Sequence, residues 1–425
     1  MKFTRIMLAG VATLAMATPA LADTTIIHAG AVLESADGEL SGPATITVTD
    51  GRIVSITDGF APVPDGADRV HLPDHTVLPG LIDLHTHLSG DPSGEFWRAA
   101  TTPPEWNVLV AAKNARVTAR AGFTTVRDLG SRTDQVTQML RRATEEGMMP
   151  GPRVVTSART IAIVGGHGDT NGFRRGVGEM LASDFTCTGA VECAETVRTA
   201  SKYGADLIKI TATGGVLSQQ GRGLEAHFSD AEMKSIVDTA ETLGLKVAAH
   251  AHGARGIEAA ARAGVQTIEH GTYIDEQAGR VMREQGTILI PTLMALKGVS
   301  ENLGTGFYTP VVEEKIRQVS SYMGTLVSRA RDYGVKVAFG TDAGVFPHGR
   351  NAEEFALLRE QGLTNREALA SATTVAAEVI GLENEIGRLA PGYSADIIAV
   401  EGNPLTDVTV LENVDWTMVR GRVID

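Results

Sequence analysis

Apolar runs with the length of β-strands alternate with helical patterns along most of the chain. Eight such runs occur: the run that closes on His85, then residues 123–128, 153–157, 207–211, 246–250, 266–270, 288–292 and 335–341. This alternation is typical of βα units arranged around a parallel sheet. Eight units predict an α/β fold with a (β/α)8 barrel of the TIM type, in which functional side chains lie at the carboxyl ends of the strands.

The two ends of the chain follow a different pattern. Residues 24–70 contain short alternating segments separated by turns, and residues 395–400 and 416–420 look similar. We therefore expect both ends to combine into a small β-sandwich domain beside the barrel. The expected boundaries are residues 23–78 and 388–425 for the β domain and residues 79–387 for the barrel.

Residues 1–22 have the pattern of a signal peptide. Lys2 and Arg5 provide a positive start, residues 6–16 are apolar, and residues 20–22 read Ala-Leu-Ala, a small-residue cleavage site. The alternative is an uncleaved membrane anchor, which the short apolar stretch disfavours. We expect an exported protein, periplasmic or secreted, with no membrane association after cleavage.

Composition and charge narrow the range of partners. The chain has 425 residues, is 43% hydrophobic and carries a formal net charge of -13. Nucleic acid is not an expected partner, because its phosphates would be repelled. Cys187 and Cys193 are the only cysteines. A disulfide and two unpaired small residues are equally compatible with their spacing, and no nearby histidine or third cysteine favours a metal site.

His85 and His87 are the first candidate metal ligands. Side chains two positions apart on a strand point to the same face, so both imidazoles can share one metal ion. Such a pair alone is weak evidence, since histidine pairs on surfaces and in cores are common. However, later strand-like runs also end in ligand-type residues, namely Lys209, His250, His270 and Asp342. If the histidines were purely structural, each would have to lie at a predicted strand end by coincidence. One shared site explains all of them at once.

These residues carry a family resemblance. Residues 79–87, Pro-Gly-Leu-Ile-Asp-Leu-His-Thr-His, and the order of the later candidates resemble the amidohydrolase superfamily. Four segments are most similar to its metal-dependent dipeptidases and carboxypeptidase-like enzymes that act on Xaa-Pro or Xaa-Arg/Lys, to which ochratoxin-degrading amidohydrolases are similar. Those segments are residues 121–128, 165–168, 213–216 and 341–344.

The resemblance implies two divalent metal ions, for which we expect zinc, although histidine and carboxylate ligands suit several neighbouring metals. It assigns His85, His87 and Asp342 to one ion, His250 and His270 to the other, and a carboxylated Lys209 to both. Two such ions can activate a water molecule and polarise a carbonyl group. An unmodified, protonated lysine would repel the metals, and the alternative for Lys209 is a surface or salt-bridged side chain.

The remaining catalytic candidates lie near the same strand ends. Asp342 would accept a proton from the attacking water and deliver it to the leaving nitrogen. His167 and Tyr273 are candidates for contacts with the carbonyl or carboxylate of the substrate, and His252 could face the same pocket. For each, a structural role in a loop is the alternative. Two weaker candidates are Arg222 and His348.

The sequence therefore predicts a binuclear metal-dependent amidohydrolase that cleaves a C-terminal amide or peptide bond. Its expected substrates are dipeptides or small molecules, with N-acyl amino acids such as ochratoxin A among the candidates. One alternative is hydrolysis of a cyclic amide or an ester on the same scaffold, because the fold does not fix the substrate. Another is a non-catalytic barrel used for binding or assembly. We also expect a homo-oligomer.

Overall fold

The computed structural model of the protein describes residues 23–131 and 133–425. The predicted signal peptide, residues 1–22, lies outside this part of the chain. Within the described ranges, no helix combines the length and the apolar character needed to cross a membrane.

The strands divide into two groups, a terminal set and a central set. In chain order they are β1 (Thr24–Val32), β2 (Ala44–Thr49), β3 (Arg52–Asp58), β4 (Asp68–Pro79), β5 (Leu81–Thr86), β6 (Phe123–Asp128), β7 (Arg153–Thr156), β8 (Thr160–Ile163), β9 (Thr186–Cys187), β10 (Ile208–Thr211), β11 (Val247–Ala251), β12 (Thr267–His270), β13 (Ile288–Ile290), β14 (Ile397–Glu401), β15 (Val414–Val419) and β16 (Arg422–Val423).

Helices follow most of the central strands. They are α1 (Glu105–Arg120), α2 (Val136–Glu145), α3 (Arg175–Met180), α4 (Ala190–Lys202), α5 (Asp230–Thr242), α6 (Ala254–Ala263), α7 (Glu276–Gln285), α8 (Leu293–Ser300), α9 (Pro310–Met323), α10 (Leu326–Asp332), α11 (Glu353–Glu360), α12 (Asn365–Ser371) and α13 (Thr374–Val379). Local sequence fixes several ends. Ser229 and Glu232 form a capping box at the start of α5, and Gly264 ends α6 in the left-handed conformation.

The strands from β5 to β13 pair in parallel and form the barrel, which confirms the predicted fold. The strand orders are β5-β6-β7 and β13-β12-β11-β10-β8-β9. The third barrel position, predicted as one run, is divided between β7 and β8, because the chain bends at Ala158, whose φ is +63°. The pairing of Lys209 with Thr160 then joins β10 to β8 rather than to β7.

The eighth predicted strand is not a regular strand in the structure. Residues 335–341 nevertheless lie between β13 and β5, because the Ala338 N–H donates to the Leu289 carbonyl and the Leu84 N–H donates to the Phe339 carbonyl. Gly340 explains the close approach, since a Cβ there would lie 2.4 Å from Ile290 and 3.1 Å from His85. Residues 335–341 therefore close the barrel through a few backbone hydrogen bonds to β13 and β5.

A small β domain from both chain ends is also confirmed. Its seven strands have the order β16-β15-β14-β4-β1-β2-β3, and only the β1–β4 pair is parallel. Ile27, Val77, Ile397 and Met418 are fully buried in one cluster, so the first and last parts of the chain share a core. The strands belong to one continuous sheet around this cluster. β4 then passes through Gly80 directly into β5 and the barrel.

The open question of the two cysteines has a clear answer in the structure. Cys187 on β9 and Cys193 in α4 form a disulfide, with Cα atoms 5.0 Å apart and both side chains buried. This bond ties the edge strand β9 to the helix that follows it.

Candidate metal centre

Three predicted ligands meet at the carboxyl ends of β5 and of the neighbouring segment, residues 335–341. Nε2 of His85 and Nε2 of His87 each lie 3.4 Å from Oδ1 of Asp342. The two imidazole rings are 5.4 Å apart between centroids. His85, His87 and Asp342 therefore form one group whose ligand atoms are close enough to hold a single ion.

A second group lies at the ends of β11 and β12. The rings of His250 and His270 are 4.5 Å apart, and His252 is 4.7 Å from His250 and 4.9 Å from His270. This group adjoins the first, since the His85 and His270 rings are separated by 5.2 Å. Lys209 lies beside them, with its Nζ 3.4 Å from Nε2 of His85. The fold thus gathers all the predicted metal ligands into one place.

Each histidine of these groups is anchored through one ring nitrogen. These contacts are His85 Nδ1 with Glu269 Oε2 (2.9 Å), His87 Nδ1 with the Gly130 carbonyl (2.8 Å), His250 Nε2 with the Gly214 carbonyl (3.2 Å), His252 Nδ1 with Thr272 Oγ1 (2.7 Å) and His270 Nδ1 with Thr292 Oγ1 (2.7 Å). Such contacts fix the orientation of a ring and leave its other nitrogen to act as a ligand.

The donor atoms of the first group fit a cation. A carboxylate or carbonyl oxygen can only accept, so Nδ1 of His85 and of His87 carries the proton and Nε2 presents a lone pair. Both lone pairs converge on Asp342 Oδ1, which is buried and, within the described residues, has no hydrogen-bond partner. Asp342 also has a left-handed backbone, with φ of +64°. Two imidazole nitrogens and a carboxylate oxygen form a donor set that suits a divalent cation.

Burial favours the uncharged forms of the buried residues of the site. It lowers the pKa of His85, His250 and His270 well below the ordinary value, and it lowers the pKa of His252 to about 3. Neutral imidazole is the form that binds metals. Burial also lowers the pKa of Lys209 and raises the pKa of Asp342, so both side chains shift toward their uncharged forms.

Sequence reasoning missed a buried charge pair behind the site. Glu269 accepts a hydrogen bond from Arg127 at 2.9 Å and contacts the ring of His85 with its other oxygen. Arg127 also donates from Nε to the Leu84 carbonyl at 2.6 Å. The available signal was a charged residue in the middle of an apolar strand, because such residues are almost never fully buried unless they are paired.

Asp83 is a second missed residue of this kind. Its carboxylate accepts from the Thr341 hydroxyl at 2.6 Å, the Asn351 amide at 2.8 Å and the His85 backbone N–H at 3.0 Å. Burial raises the pKa of Asp83 to about 6. These bonds tie β5 to the segment that ends in Asp342, and so they set the distance between the ligands of the first group.

The predicted substrate contacts border the histidine groups. The ring of His167 is 4.4 Å from that of His250, and its Nδ1 contacts the Ser218 hydroxyl at 2.6 Å. Tyr273 follows the end of β12 and packs edge-on against Tyr322 at 4.7 Å. Burial raises the pKa of Tyr273, so its phenol remains a hydrogen-bond donor at neutral pH.

The two weaker candidates differ in placement. Both ring nitrogens of His348 contact the protein, Nδ1 with the Thr118 hydroxyl at 2.8 Å and Nε2 with the His87 carbonyl at 3.2 Å. His348 therefore supports the backbone of His87. Arg222 is exposed on the segment that follows β10.

This fold and donor set are those of barrel-type hydrolases, and comparisons with known proteins agree. The model of the amidohydrolase family matches residues 76–424. Ochratoxinase from Aspergillus niger is 30% identical over 417 residues, covering 92% of this chain and 84% of the relative. A crystal structure of a Xaa-Pro dipeptidase with methionine bound in its active site has a TM-score of 0.87 and 38% identity, with 94% and 99% of the two chains covered.

A second solved structure, a prolidase complexed with N-methylphosphonate-L-proline, gives a TM-score of 0.85 at 32% identity and covers 95% of this chain and 99% of its own. The chain belongs to the amidohydrolase family, and it is an enzyme of the hydrolase class. The predicted resemblance to the dipeptidase and ochratoxin-degrading group is confirmed.

Proposed function

We propose that the protein is a binuclear metal-dependent amidohydrolase that cleaves a C-terminal amide or peptide bond in a dipeptide or an N-acyl amino acid. The observation that carries this proposal is the convergence of His85, His87 and Asp342 lone pairs next to a second histidine group. The names of the similar proteins, a Xaa-Pro dipeptidase, a prolidase and an ochratoxinase, support the substrate class.

The proposed ligands are those predicted from the sequence. His85, His87 and Asp342 would hold one divalent ion, and His250 and His270 would hold the other. When bound, two such ions lower the pKa of a water molecule and polarise the scissile carbonyl. We propose zinc, because imidazole and carboxylate donors suit it.

Lys209 would join the two groups as a carbamate. Its buried amine is shifted toward the neutral form, which is the form that adds carbon dioxide and releases one proton. The resulting carboxylate would remove the positive charge that otherwise opposes metal binding. Its position 3.4 Å from Nε2 of His85 supports this role.

The other side chains would manage the proton and the substrate. Asp342 accepts a proton from water and transfers it to the leaving nitrogen, since an amine anion is a poor leaving group. His167 and Tyr273 provide hydrogen-bond donors for the substrate carbonyl or carboxylate. His252, beside His250 and His270, stands as a further candidate for proton transfer.

Two measurements test the proposal. Metal analysis should find about two divalent ions per chain, and a chelator should abolish activity that zinc then restores. A panel of dipeptides, N-acyl amino acids, lactams and lactones should show hydrolysis of the first two classes. Full activity in metal-free protein would refute the metal mechanism. Turnover of lactams or lactones alone would assign the protein to the cyclic amide or ester alternative.

We further propose that residues 1–22 are removed on export to the periplasm or beyond. N-terminal sequencing of the protein from its native host should then begin at Asp23.

We also propose that residues 23–78 and 388–425 form one domain beside a barrel of residues 79–387, and that the protein is a homo-oligomer. Light scattering of the purified protein measures the oligomeric state.

A further inference from the structure

Lys315, on α9, is a buried lysine that the proposed mechanism does not use. The residue is 4% exposed. Its Nζ donates to three backbone carbonyls: Ser218 at 2.6 Å, Gly215 at 2.8 Å and Gln220 at 3.4 Å. An ammonium group has three hydrogens, so all its donors are occupied by the protein. Burial lowers the pKa of Lys315 to about 8.

The three carbonyls belong to the segment that follows β10, residues 214–220, which lies directly against two site histidines. The Gly214 carbonyl contacts Nε2 of His250, and the Ser218 hydroxyl contacts Nδ1 of His167. Gly215 packs so tightly that a Cβ there would lie 2.3 Å from Nδ1 of His167. Any shift of this segment would therefore move the partners of both rings.

This segment has little regular structure of its own. Residues 214–220 form turns and bends without a strand or helix, so their carbonyls need partners from elsewhere. Lys315, 95 to 100 positions away in sequence, provides them for three residues. Thr309, at the start of α9, adds a contact with the side chain of Gln219 at 2.8 Å. α9 thus holds the segment at several points.

We propose that Lys315 is a positioning residue for hydrolysis, whose ammonium group fixes residues 214–220 so that Ser218 orients His167 and the Gly214 carbonyl orients His250. Lys315 acts through these groups and does not touch the substrate. The inference rests on the proposed function, because His167 and His250 matter for turnover only if the site is catalytic.

Lys315→Met tests this role, because it keeps the length and the apolar contacts of the side chain and removes the three donors. We expect kcat to fall by about 10- to 100-fold with a smaller change in KM, since a displacement of about 1 Å near the reacting groups can cost ~10²-fold in rate. Metal content should stay near that of the wild type. The matched control is Arg317→Gln on the same helix, where an exposed arginine pairs with Glu313 and activity should not change.

Limited proteolysis gives a second readout that needs no substrate. Arg222 is exposed and lies two positions beyond Gln220, so release of the segment should make trypsin cut after Arg222 faster in Lys315→Met than in the wild type or in Arg317→Gln. Combination with Ser218→Ala tests the path to His167. If Lys315 acts through Ser218, the double variant should lose little more kcat than the worse single variant.

The outcomes separate the two proposals. If the wild type hydrolyses no member of the panel, the proposed function fails. The cutting rate after Arg222 still tests whether Lys315 holds residues 214–220 in place. Unchanged kcat and unchanged cutting in Lys315→Met would refute the positioning role. Loss of activity that is explained by lost metal, with unchanged cutting, would refute it too, as would independent effects in the double variant. Lys315→Gln, which keeps two uncharged donors, replaces Lys315→Met if the latter does not fold.

Discussion

Replacement of Arg127 by methionine would expose the cost of the buried charge pair behind the candidate metal centre. Arg127 and Glu269 are 1% and 0% exposed, and Glu269 also holds the ring of His85. Without Arg127, the hydrogen-bond contacts left to the Glu269 carboxylate among the described residues are those with the His85 ring and the Thr267 hydroxyl. Removing one partner of a buried pair typically costs about 3 to 5 kcal/mol, because the other charge stays uncompensated in the interior. We expect Arg127→Met to lose about this much free energy of unfolding.

Thermal unfolding of the metal-loaded protein measures the effect. At roughly 2.1 cal/mol/K per residue, unfolding of about 400 residues has an entropy of about 0.8 kcal/mol/K, so the expected loss corresponds to a fall in Tm of about 4 to 6 °C. Arg142→Met serves as the control. Arg142 pairs with Glu146 on the surface, and such exposed pairs contribute little, so Tm should fall by about 1 °C or less.

The double variant Arg127→Met/Glu269→Gln decides between lost charge compensation and lost packing. It removes both charges and keeps an oxygen that can accept from the His85 ring. If the uncompensated carboxylate causes the instability, the double variant should recover more than half of the lost Tm. A double variant that melts at or below the single variant would refute the reasoning, since the loss would then come from packing of the arginine side chain.

Three further predictions concern single residues. Lys209→Ala should lose most activity and part of its metal, because no carbamate can form between the two histidine groups, and wild-type activity would show that the lysine is structural. Asp342→Asn should reduce kcat by at least ~10²-fold with a smaller effect on KM; near-normal kcat with both metals bound would move the proton transfer to a neighbour such as His252. Glu354, whose carboxylate accepts from the N–H groups of Leu293 and Met294, has its pKa raised by burial to about 8. Its protonated form is therefore favoured by folding, so its stabilising contribution is complete below about pH 4.5 and is lost as the pH rises to 8. Glu354→Gln should flatten the fall of Tm between pH 5 and pH 8, and an unchanged slope would contradict the assignment.

The barrel and the clustering of the candidate ligands could be predicted because both have short-range signals. Each strand is a local apolar run, and in a parallel barrel the residues at the carboxyl ends of strands must meet. His85, Lys209 and His270 were found in this way. The position of Asp342 was predicted correctly even though the segment before it is not a regular strand, since Gly340 lets that segment pass close to β5.

The supporting residues could not be found from local patterns. Glu269 and Arg127 meet across 142 positions of sequence, and Lys315 reaches carbonyls about 100 positions away. A lysine or glutamate in a helix, such as Lys315 or Glu354, ordinarily indicates a solvated face. Only the packing of α9 and α11 against the barrel turns these side chains inward. Their burial depends on which loops cross, and spacing in the sequence does not carry that information.

The shared β domain has a consequence for how the nascent chain matures. β14 pairs with β4 from His75 to Pro79, but the ribosome makes β14 about 320 residues after β4. At about 5 to 20 residues per second, that edge of β4 waits roughly 15 to 65 s for its partner, while every strand of the barrel is synthesised. During this time its backbone donors and acceptors are open to other chains. Once β14 pairs with β4, this edge of β4 is covered and is no longer open to pairing with other chains.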